Sequence, residues 1–514
     1  MPARARASGG IDIINRVPDV LRIHPDDNVL VALRPLKGHD RAGGVVLAQD
    51  IPTGHKLAAR AIGAGEPVIK YGYPIGVAER DIAPGEHVHT HNLRSALDGR
   101  IDLGPTPPIQ RIEPTPHRSL TFDGYRRADG RAATRNEIWI VNTVGCVNHA
   151  SERIASTANR ALAQEGSGID GVFAFPHPFG CSQLGDDLSK TQKVLAGLVN
   201  HPNAAAVLIL GLGCENNQMR LFLDTLGPLE RQRVRYFNAQ DVSDEIEEGV
   251  NAVRELAEYA RQFKREPIDA AELVVAMKCG GSDGFSGITA NPLVGRVADR
   301  ISAAGGTVLL SEVPEMFGAE QVLLARAVGE PARRGVIDLV NNFRDYFRRY
   351  NQPIDENPSP GNKDGGITTL AEKSLGCVQK GGRAPVKRVL EYGEPAPSRL
   401  GGLALVNSPG NDGVSSTAMT IAGAHVLLFT TGRGTPMGFP APTVKVSSNS
   451  DIAARKPQWI DFDAGVLTEG RRSIDELGDE LTRFVLDVAS GLQRTKNETN
   501  AYREIAIWKD GVTL

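Results

Sequence analysis

The sequence predicts an α/β protein in which a small all-β domain precedes two α/β regions with mainly parallel sheets. Three observations support this prediction. Residues 21–92 consist of short β-like runs broken by Gly, Pro and Asp. A proline-rich stretch comes next, and from residue 136 onward strand-like apolar runs alternate with helix-like stretches. Such alternation is typical of parallel strands joined by crossover helices.

The first domain is predicted to span residues 20–93. Its β-like runs read NVLVAL, GGVVLAQDI, EPVIKYGYPIG and EHVHTHN, and their close spacing indicates a compact β-module. Residues 94–118 contain five prolines and little periodicity. This composition predicts an extended linker, so we expect the β-module to be separate from the remainder of the chain.

The rest of the chain is predicted to form two α/β domains, at residues 119–355 and 356–514. Strand-like runs in the first are EIWIVNTV, DGVFAF, AAAVLILGLG, LVVAMK and GTVLLSEV. The Gly/Pro-rich segment ENPSPGNKDGGITT marks the division. Beyond it, the strand-like runs are LALVNSPGND, HVLLFTTGRG and PTVKVSSNS, and they again alternate with helices. One helix is rich in small residues, and the final helix is amphipathic.

Composition excludes several classes of protein. The 514 residues are too many for one core, and the formal net charge of −3 gives no attraction to nucleic acid or anionic membranes. No secretory leader and no apolar run long enough to cross a bilayer is apparent, which predicts a cytoplasmic protein. Five cysteines without a disulfide-framework spacing indicate free thiols or metal ligands.

Four of the cysteines follow apolar runs that end in glycine-rich turns: Cys146, Cys181, Cys214 and Cys279. Residues just past parallel strands line the ligand crevice of an open α/β sheet, so these turns are expected to converge on one site. The thiols could bind an iron–sulfur cluster, bind a mononuclear metal or simply pack. No C-x-x-C spacing supports a cluster, so none is expected. Cys377 follows a polar stretch and is harder to place.

Histidines are concentrated in EHVHTHN, which places His87, His89 and His91 on one face of a strand. His55 in PTGHK is a fourth candidate. Imidazoles on a common face suit a divalent transition metal or proton transfer, although a solvated strand edge would show the same pattern.

The segment KCGGSDGFSGITANP joins a strand to a helix through a loop rich in glycine and hydroxyl groups. Glycine lets backbone N–H groups approach a ligand, and a helix N-terminus attracts anions. A carboxylate or phosphate is therefore expected at this loop, with contacts from Ser282, Asp283, Ser286 and Thr289. Tight turning of the chain is the alternative explanation.

Charged residues also follow the predicted strands. SEVPEMFGAEQ contains Glu312, Glu315 and Glu320, and TTGRGTP with PTVKVSSNS contributes Arg433 and Lys445. The acids could bind metal or act as a base, and the cations could hold an acidic substrate. A carboxylate after a strand is equally often a helix cap.

Together the motifs HVHTHN, VNTVGCVN, GCSQLGDD, LILGLGCENNQ, CGGSDGFSGITANP, EVPEMFGAEQ and TGRGTP resemble the altronate/galactarate dehydratase family. The resemblance runs from about residue 20 to the C-terminus. It implies that the first module is a small β-clip domain called SAF and that the remainder is the dehydratase body. It also implies a divalent metal, Fe²⁺ or Mn²⁺, as cofactor.

The implied reaction is loss of water from a sugar acid, with D-altronate giving 2-keto-3-deoxy-D-gluconate. The C2 proton is weakly acidic beside a carboxylate, so a metal or fixed cations must stabilise the enediolate while a base removes it. We expect His55, His91, Glu312 and Glu315 to be catalytic. The expected metal ligands are His55, His89, His91, Cys181 and Cys279. The expected substrate contacts are Ser282, Asp283, Ser286, Thr289, Arg433 and Lys445.

Other functions remain open. The substrate could be galactarate or another aldonate or aldarate, or the chain could be a lyase like those that act on sulfolactate. A non-catalytic sugar-acid binding protein would have the pocket without metal or base. The expected partner is a small-molecule sugar acid, with no nucleic acid or membrane and a possible homo-oligomer.

Overall fold

A computed structural model describes residues 18–97, 120–164, 168–511 and 513. Most of the predicted linker, and residues 1–17, lie outside these described residues. Within them the predicted fold class is confirmed: a small antiparallel N-terminal domain precedes a body built on parallel sheets.

The N-terminal domain contains nine short strands in three antiparallel sheets. The strands are β1 Val20–Leu21, β2 Val29–Ala32, β3 Arg41–Ala42, β4 Val45–Val46, β5 Lys56–Ala58, β6 Pro67–Lys70, β7 Tyr73–Ala78, β8 His87–Val88 and β9 Leu93–Arg94. Their orders are β1-β2-β5-β8, β3-β4 and β6-β7-β9. Tight turns keep every strand short, which explains why the sequence shows brief apolar runs instead of long ones.

A four-stranded parallel sheet and four helices come next, flanked by a small antiparallel sheet in the order β11-β10-β16. The parallel sheet has the order β13-β12-β14-β15. The strands are β10 Thr121–Arg126, β11 Ala132–Ala133, β12 Glu137–Asn142, β13 Gly171–Ala174, β14 Ala204–Gly211, β15 Val234–Asn238 and β16 Arg265–Asp269. The helices are α1 Asn148–Gln164, α2 Gly185–Val199, α3 Met219–Leu226 and α4 Glu245–Ala260.

Both faces of this sheet are covered, which is why its central strands read as continuous apolar runs. Ile138 and Ile140 pack against α1 and α4 on one face. Trp139 and Val141 face the opposite side, in a core that also contains α2.

The largest sheet has seven parallel strands in the order β19-β20-β18-β17-β21-β22-β23. They are β17 Val274–Cys279, β18 Thr307–Leu310, β19 Val386–Leu390, β20 Gly402–Val406, β21 Val426–Thr431, β22 Thr443–Ser447 and β23 Phe462–Asp463. The accompanying helices are α5 Ala290–Ala303, α6 Glu320–Leu324, α7 Gly329–Arg349, α8 Pro360–Asp364, α9 Leu370–Cys377, α10 Asp412–Ile421, α11 Ser450–Arg455, α12 Ile474–Ala489 and α13 Lys496–Thr499. Strands β17 and β18 precede the expected division at residues 355/356, and β19 to β23 follow it. Strands from the two predicted domains therefore pair in one sheet.

The two parallel sheets are joined by helices that pack between them. The core shared by α2 and α10 includes Trp139 of one sheet and Phe429 of the other. Gly197 of α2 lies directly against Ile421 of α10, because a side chain at Gly197 would meet Ile421 at 2.4 Å. No helix in the described part of the chain combines the length and apolar character needed to cross a bilayer.

Two buried histidines lie where the two sheets meet. His425 accepts the Val274 N–H through Nδ1 (3.0 Å) and donates from Nε2 to the Ala132 carbonyl (2.9 Å). His201 makes the same pair of bonds with Asn203 and Ala424. An amide only donates and a carbonyl only accepts, so both imidazoles are neutral. Burial lowers the pKa of His425 to about 4 and holds the pKa of His201 well below its usual value.

Because of these two histidines, the free energy of unfolding should fall on mild acidification. An unfolded histidine takes up a proton below about pH 6.5, whereas folded His425 resists protonation until about pH 4. The contribution of His425 to the free energy of unfolding is therefore complete above pH 6.5. It is lost as the pH falls, by at most about 1.4 kcal/mol per pH unit. Urea unfolding midpoints between about pH 7.5 and about pH 5 measure this slope. His425→Gln should flatten the slope while exposed His149→Gln leaves it unchanged; equal slopes in all three proteins would contradict the assignment.

Candidate active site

A cluster of buried charged side chains lies at the carboxyl end of the seven-stranded sheet. Lys278 and Cys279 end β17, and Glu312 follows β18. Lys278 is fully buried, forms an ion pair with Glu312 and lies 2.9 Å from Asp412 Oδ1. Lys380 donates to Glu312 Oε2 at 2.6 Å. Asp412, whose side chain is 36% exposed, connects this buried chain of charges to solvent.

Two thiols and a second carboxylate continue the cluster. Cys279 Sγ lies 3.4 Å from Cys377 Sγ, and Cys377 donates to Glu315 Oε2 at 3.0 Å. Lys380 donates to Cys279 Sγ at 2.8 Å, and Lys373 Nζ lies 2.8 Å from Glu315 Oε1. The ligand atoms of Cys279, Glu315 and Cys377 lie within 4.8 Å of one another, so these three residues form a possible metal-binding group.

The two carboxylates of the cluster have pKa values displaced in opposite directions. Burial raises the pKa of Glu312, and the charge of Glu315 adds to this effect. Burial would raise the pKa of Glu315 too, but Lys373 outweighs it and holds that pKa below its usual value. Burial opposes the charge of Lys278, yet the neighbouring carboxylates keep its pKa raised. Neighbouring acids displaced in this way are a recurrent feature of acid–base sites.

The backbone is strained at Glu312, within the buried charged cluster. Glu312 has a φ of 69°, in the left-handed region that non-glycine residues rarely occupy. Such strain persists only where surrounding contacts enforce it, and here two lysines hold the Glu312 carboxylate.

Histidines of the N-terminal domain form a second cluster. The ring centroid of His87 lies 5.1 Å from that of His55, 5.5 Å from His89 and 5.4 Å from His91. His55 donates from Nε2 to the Asp364 carbonyl (3.2 Å), so its Nδ1 accepts from His87 Nε2 at 3.0 Å. His87 thus retains a free Nδ1 lone pair.

Three imidazoles of this cluster, those of His55, His87 and His89, have lowered pKa values and are neutral near pH 7. Burial, followed by the neighbouring histidines, lowers the pKa of His87 to about 3. Burial and the charge of Lys56 lower the pKa of His89 to about 4. Neutral imidazole is the form that binds metal ions.

Two buried lysines fix the N-terminal domain against the body of its own chain. Lys56 and Lys70 place their ammonium groups 2.9 Å and 2.7 Å from the two oxygens of Glu372 in α9. Lys56 also donates to the Gly366 carbonyl and to the Thr368 hydroxyl, which lies 2.9 Å from His89 Nδ1. The histidine cluster therefore lies against residues 364–368.

Most polar groups of the loop after β17 are used within the protein. The Asp283 carboxylate accepts bonds from Ser286, Ser448 and Asn449, which order the loop. Thr289 donates to the Phe285 carbonyl, with a second contact to the Ser448 carbonyl. The buried hydroxyl of Ser282 has no hydrogen-bond partner. Among the four loop residues predicted to bind substrate, Ser282 alone offers a free hydroxyl.

A cavity of 570 Å³ lies between the N-terminal domain and the body. Its lining includes Thr53 and Gly54 on one side and Asp283, Arg433, Asp451 and Arg455 on the other. Gly280 and Gly281 separate this cavity from the buried cluster: a side chain at Gly280 would meet Asp412 at 2.4 Å, and one at Gly281 would meet Arg433 at 3.5 Å. Arg455 forms an ion pair with Asp451 at 3.0 Å, so Arg433 is the wall cation that suits a carboxylate ligand.

A larger cavity, of 740 Å³, opens beside His201, His425 and Val274. It lies at the amino end of β17, whereas ligands of open α/β sheets bind at the carboxyl ends of the strands. The smaller cavity is therefore the candidate substrate site.

The structure separates the five predicted metal ligands into three places. His55, His89 and His91 belong to the histidine cluster, Cys279 lies beside Lys380, and Cys181 lies in a loop of the four-stranded sheet. The expectation that four cysteine turns converge on one site is wrong, because they end strands of two different sheets. Lys445, predicted to bind substrate, is fully buried and donates to the Thr435 carbonyl.

Sequence reasoning missed Lys278, Lys373, Lys380 and Cys377 as site residues. Lys278 interrupts the otherwise apolar run LVVAMK, which is a usable signal because charged residues are rarely buried without a partner. The other three belong to the polar segment LAEKSLGCVQKGG, which shows no strand-end pattern. Glu320, a candidate acid, instead pairs with Arg344 at 2.7 Å.

Comparisons with known proteins agree with this layout. Three family models match in order: the altronate/galactarate dehydratase SAF domain at residues 18–96, the D-galactarate dehydratase/altronate hydrolase second domain at 124–261, and the D-galactarate/altronate dehydratase C-terminal domain at 270–513. Altronate dehydratase of Bacillus subtilis (strain 168) is 47% identical over 96% of this chain and 99% of its own.

Two further relatives come from Escherichia coli (strain K12). Altronate dehydratase is 48% identical over 96% of this chain and 99% of its own length. Galactarate dehydratase (L-threo-forming) is 33% identical over 95% of this chain and 96% of its own. The matches extend across the N-terminal domain and both parallel sheets, and the chain belongs to the altronate/galactarate dehydratase family.

Proposed function

We propose that this chain removes water from D-altronate to give 2-keto-3-deoxy-D-gluconate. The observation that carries the proposal is the near full-length similarity to two altronate dehydratases, at 47% and 48% identity. Galactarate dehydratase, at 33%, is a more distant relative, so galactarate is the second candidate substrate.

The substrate carboxylate binds in the 570 Å³ cavity, where Arg433 supplies positive charge, since Arg455 is paired with Asp451. Arg433 is exposed and its contact with the Gly361 carbonyl is long, at 3.3 Å, so its guanidinium can turn to a ligand. The unpartnered Ser282 hydroxyl is the candidate for a substrate hydroxyl, because an unpaired buried polar group gains from acquiring a partner.

Proton transfer uses the charged cluster beyond Gly280 and Gly281. Asp412 is its solvent-facing member, and Lys278 joins Asp412 to Glu312. A proton taken from C2 at this edge can pass inward, because Glu312 has a raised pKa and lies between two lysines. The positive charge of Lys278 and Lys380 also favours the negative charge that develops on the substrate as the proton leaves.

The donor chemistry favours the histidine cluster as the holder of a divalent metal, Fe²⁺ or Mn²⁺. His55, His87 and His89 are neutral and His87 Nδ1 is free, whereas the Cys279–Glu315–Cys377 group is already neutralised by lysines. The hydrogen bond with Cys279 and burial raise the pKa of the Cys377 thiol well above its usual value, which opposes the deprotonation that metal binding requires. A bound metal would supply Lewis acidity to the carboxylate or the departing hydroxyl.

The function is tested by incubating purified full-length protein, with Fe²⁺ or Mn²⁺, with altronate, galactarate, other aldonates and sulfolactate. Altronate should give 2-keto acid fastest. In heavy water, deuterium should appear at C3 of the product, because the enol formed after loss of the C3 hydroxyl is protonated there. Product without deuterium at C3 would contradict proton abstraction, and turnover of galactarate alone would change the substrate. Binding of altronate without any 2-keto acid would favour a binding protein.

A further inference from the structure

We propose that Cys146, Cys181 and Cys214 bind an iron–sulfur cluster of the four-iron type, with three irons held by these thiolates and the fourth open to an oxygen ligand. Each cysteine lies in a loop at the carboxyl edge of the four-stranded sheet, after β12, β13 and β14 respectively. All three side chains are exposed, in contrast to buried Cys279 and Cys377, and the Cys214 sulfur accepts from Gln240 Nε2 at 3.5 Å. The site is separate from the charged cluster described above.

The three loops are hydrogen-bonded to one another next to each cysteine. Beside Cys146, the Gly145 N–H donates to the Phe179 carbonyl at 2.9 Å. On either side of Cys181, Gly180 accepts from the Asn217 N–H at 2.9 Å and Ser182 donates to the Asn216 side chain at 2.7 Å.

The loop that carries Cys214 is also tied to the loop that carries Cys146. The Asn217 side chain donates to the Thr143 carbonyl at 3.0 Å, and the Thr143 hydroxyl contacts Glu215 at 2.5 Å. Hydrogen bonds thus join each loop to the other two, and every bonded residue lies within three positions of a cysteine. Ser182, next to Cys181, is held at a left-handed φ of 56°. Non-glycine residues keep such a conformation only where the surroundings enforce it, so the turn is rigidly set.

The acid and the histidine of these loops, Glu215 and His177, are hydrogen-bonded within the protein. Glu215 is buried and accepts the N–H groups of Leu212 and Gly213. His177 is buried, donating from Nε2 to the Asn142 carbonyl at 2.9 Å. Among the described residues of these loops, the ligand atoms left facing outward are therefore thiol sulfurs, which select iron–sulfur clusters and soft metals over oxygen-seeking ions.

Helix N-termini add a favourable field for an anionic group. The 17-residue helix α1 begins two residues after Cys146, and the 15-residue α2 begins four residues after Cys181. α3 begins five residues after Cys214. Helix N-termini carry partial positive charge, which favours thiolates over thiols and stabilises the negative charge of a cluster.

Three thiols at the ends of three neighbouring strands match the arrangement of a cluster, in which each thiolate binds a different iron. The lack of a C-x-x-C motif does not oppose this, because the ligands come from three loops.

The test uses full-length protein isolated without oxygen, and the same protein incubated with ferrous iron, sulfide and thiol. We expect about four irons and four acid-labile sulfides per chain, with the broad visible absorption of iron–thiolate bonds. Cys146→Ser, Cys181→Ser and Cys214→Ser should each lose most of the labile sulfide. Cys377→Ser, in the buried cluster, should retain it.

A labelling measurement guards against misfolding of a variant. In cluster-loaded parent protein the three cysteines should resist alkylation, and they should be alkylated after the iron is removed by chelation, as read by mass spectrometry. Three outcomes would overturn the proposal: no labile sulfide in either preparation, bound iron without sulfide, or full sulfide in a folded variant lacking all three thiols. None of these readouts depends on turnover of altronate. Failure of the cluster proposal can therefore be distinguished from failure of the proposed dehydratase function.

Discussion

Replacing Lys380 by methionine is expected to lower the rate of dehydration at least about a hundredfold, the scale of losing a group that supports proton transfer. The buried Lys380 ammonium contacts Glu312 and Cys279. Without Lys380, Glu312 keeps Lys278 as its ion-pair partner. The pKa of Glu312 should rise further, because less positive charge then offsets the effect of burial. The measurement is the pH profile of kcat/KM together with urea unfolding.

A second substitution separates chemistry from folding. Lys380→Met alone should also lower the free energy of unfolding by about 3–5 kcal/mol, since it leaves a buried carboxylate partly unpaired. The double variant Lys380→Met with Glu312→Gln removes both charges, so we expect it to regain stability but not activity. Exposed Lys387→Met, on β19, is the matched control and should change neither quantity. An active double variant would show that the pair serves stability alone.

Replacing His87 by alanine is expected to remove the bound divalent metal and to lower the rate at least about a hundredfold. His87 lies at the centre of the histidine cluster, within 5.5 Å of three other imidazole rings. Its loss also leaves His55 Nδ1 without its partner. Metal content after dialysis, measured by elemental analysis, is the direct readout, and activity is the second.

The control for this experiment is His39→Asn in the same domain. His39 is exposed and has a φ of 71°, a conformation that asparagine tolerates, so the substitution should leave metal content unchanged. If His87→Ala retains the metal of the parent protein, the histidine cluster is not the metal site. Metal loss in Glu315→Gln would then point to the group of Cys279, Glu315 and Cys377.

Local sequence was sufficient to predict most of the secondary structure of the body. Runs such as EIWIVN and AAAVLILG form strands covered by helices on both faces, and such strands must be apolar throughout. The short runs of the N-terminal domain predicted a small all-β module, because turns and strands have distinct local compositions. The quoted motifs also sufficed to predict the family.

The tertiary structure decided which of these residues act together. Cys377 lies 98 residues from Cys279, yet their sulfurs are 3.4 Å apart, and no local pattern records that distance. The hydroxyls of Ser286 and Thr289 are hydrogen-bonded within the protein, so composition alone overstated how many of them are free for a ligand.

The sequence by itself determined that four cysteines would stand at strand ends, because each lies where an apolar run ends in a glycine-rich turn. Only the tertiary structure assigned Cys146, Cys181 and Cys214 to one sheet and Cys279 to another. The physical reason is that strand composition depends on the burial of each strand, whereas the neighbours of a strand end depend on which distant strands pair with it.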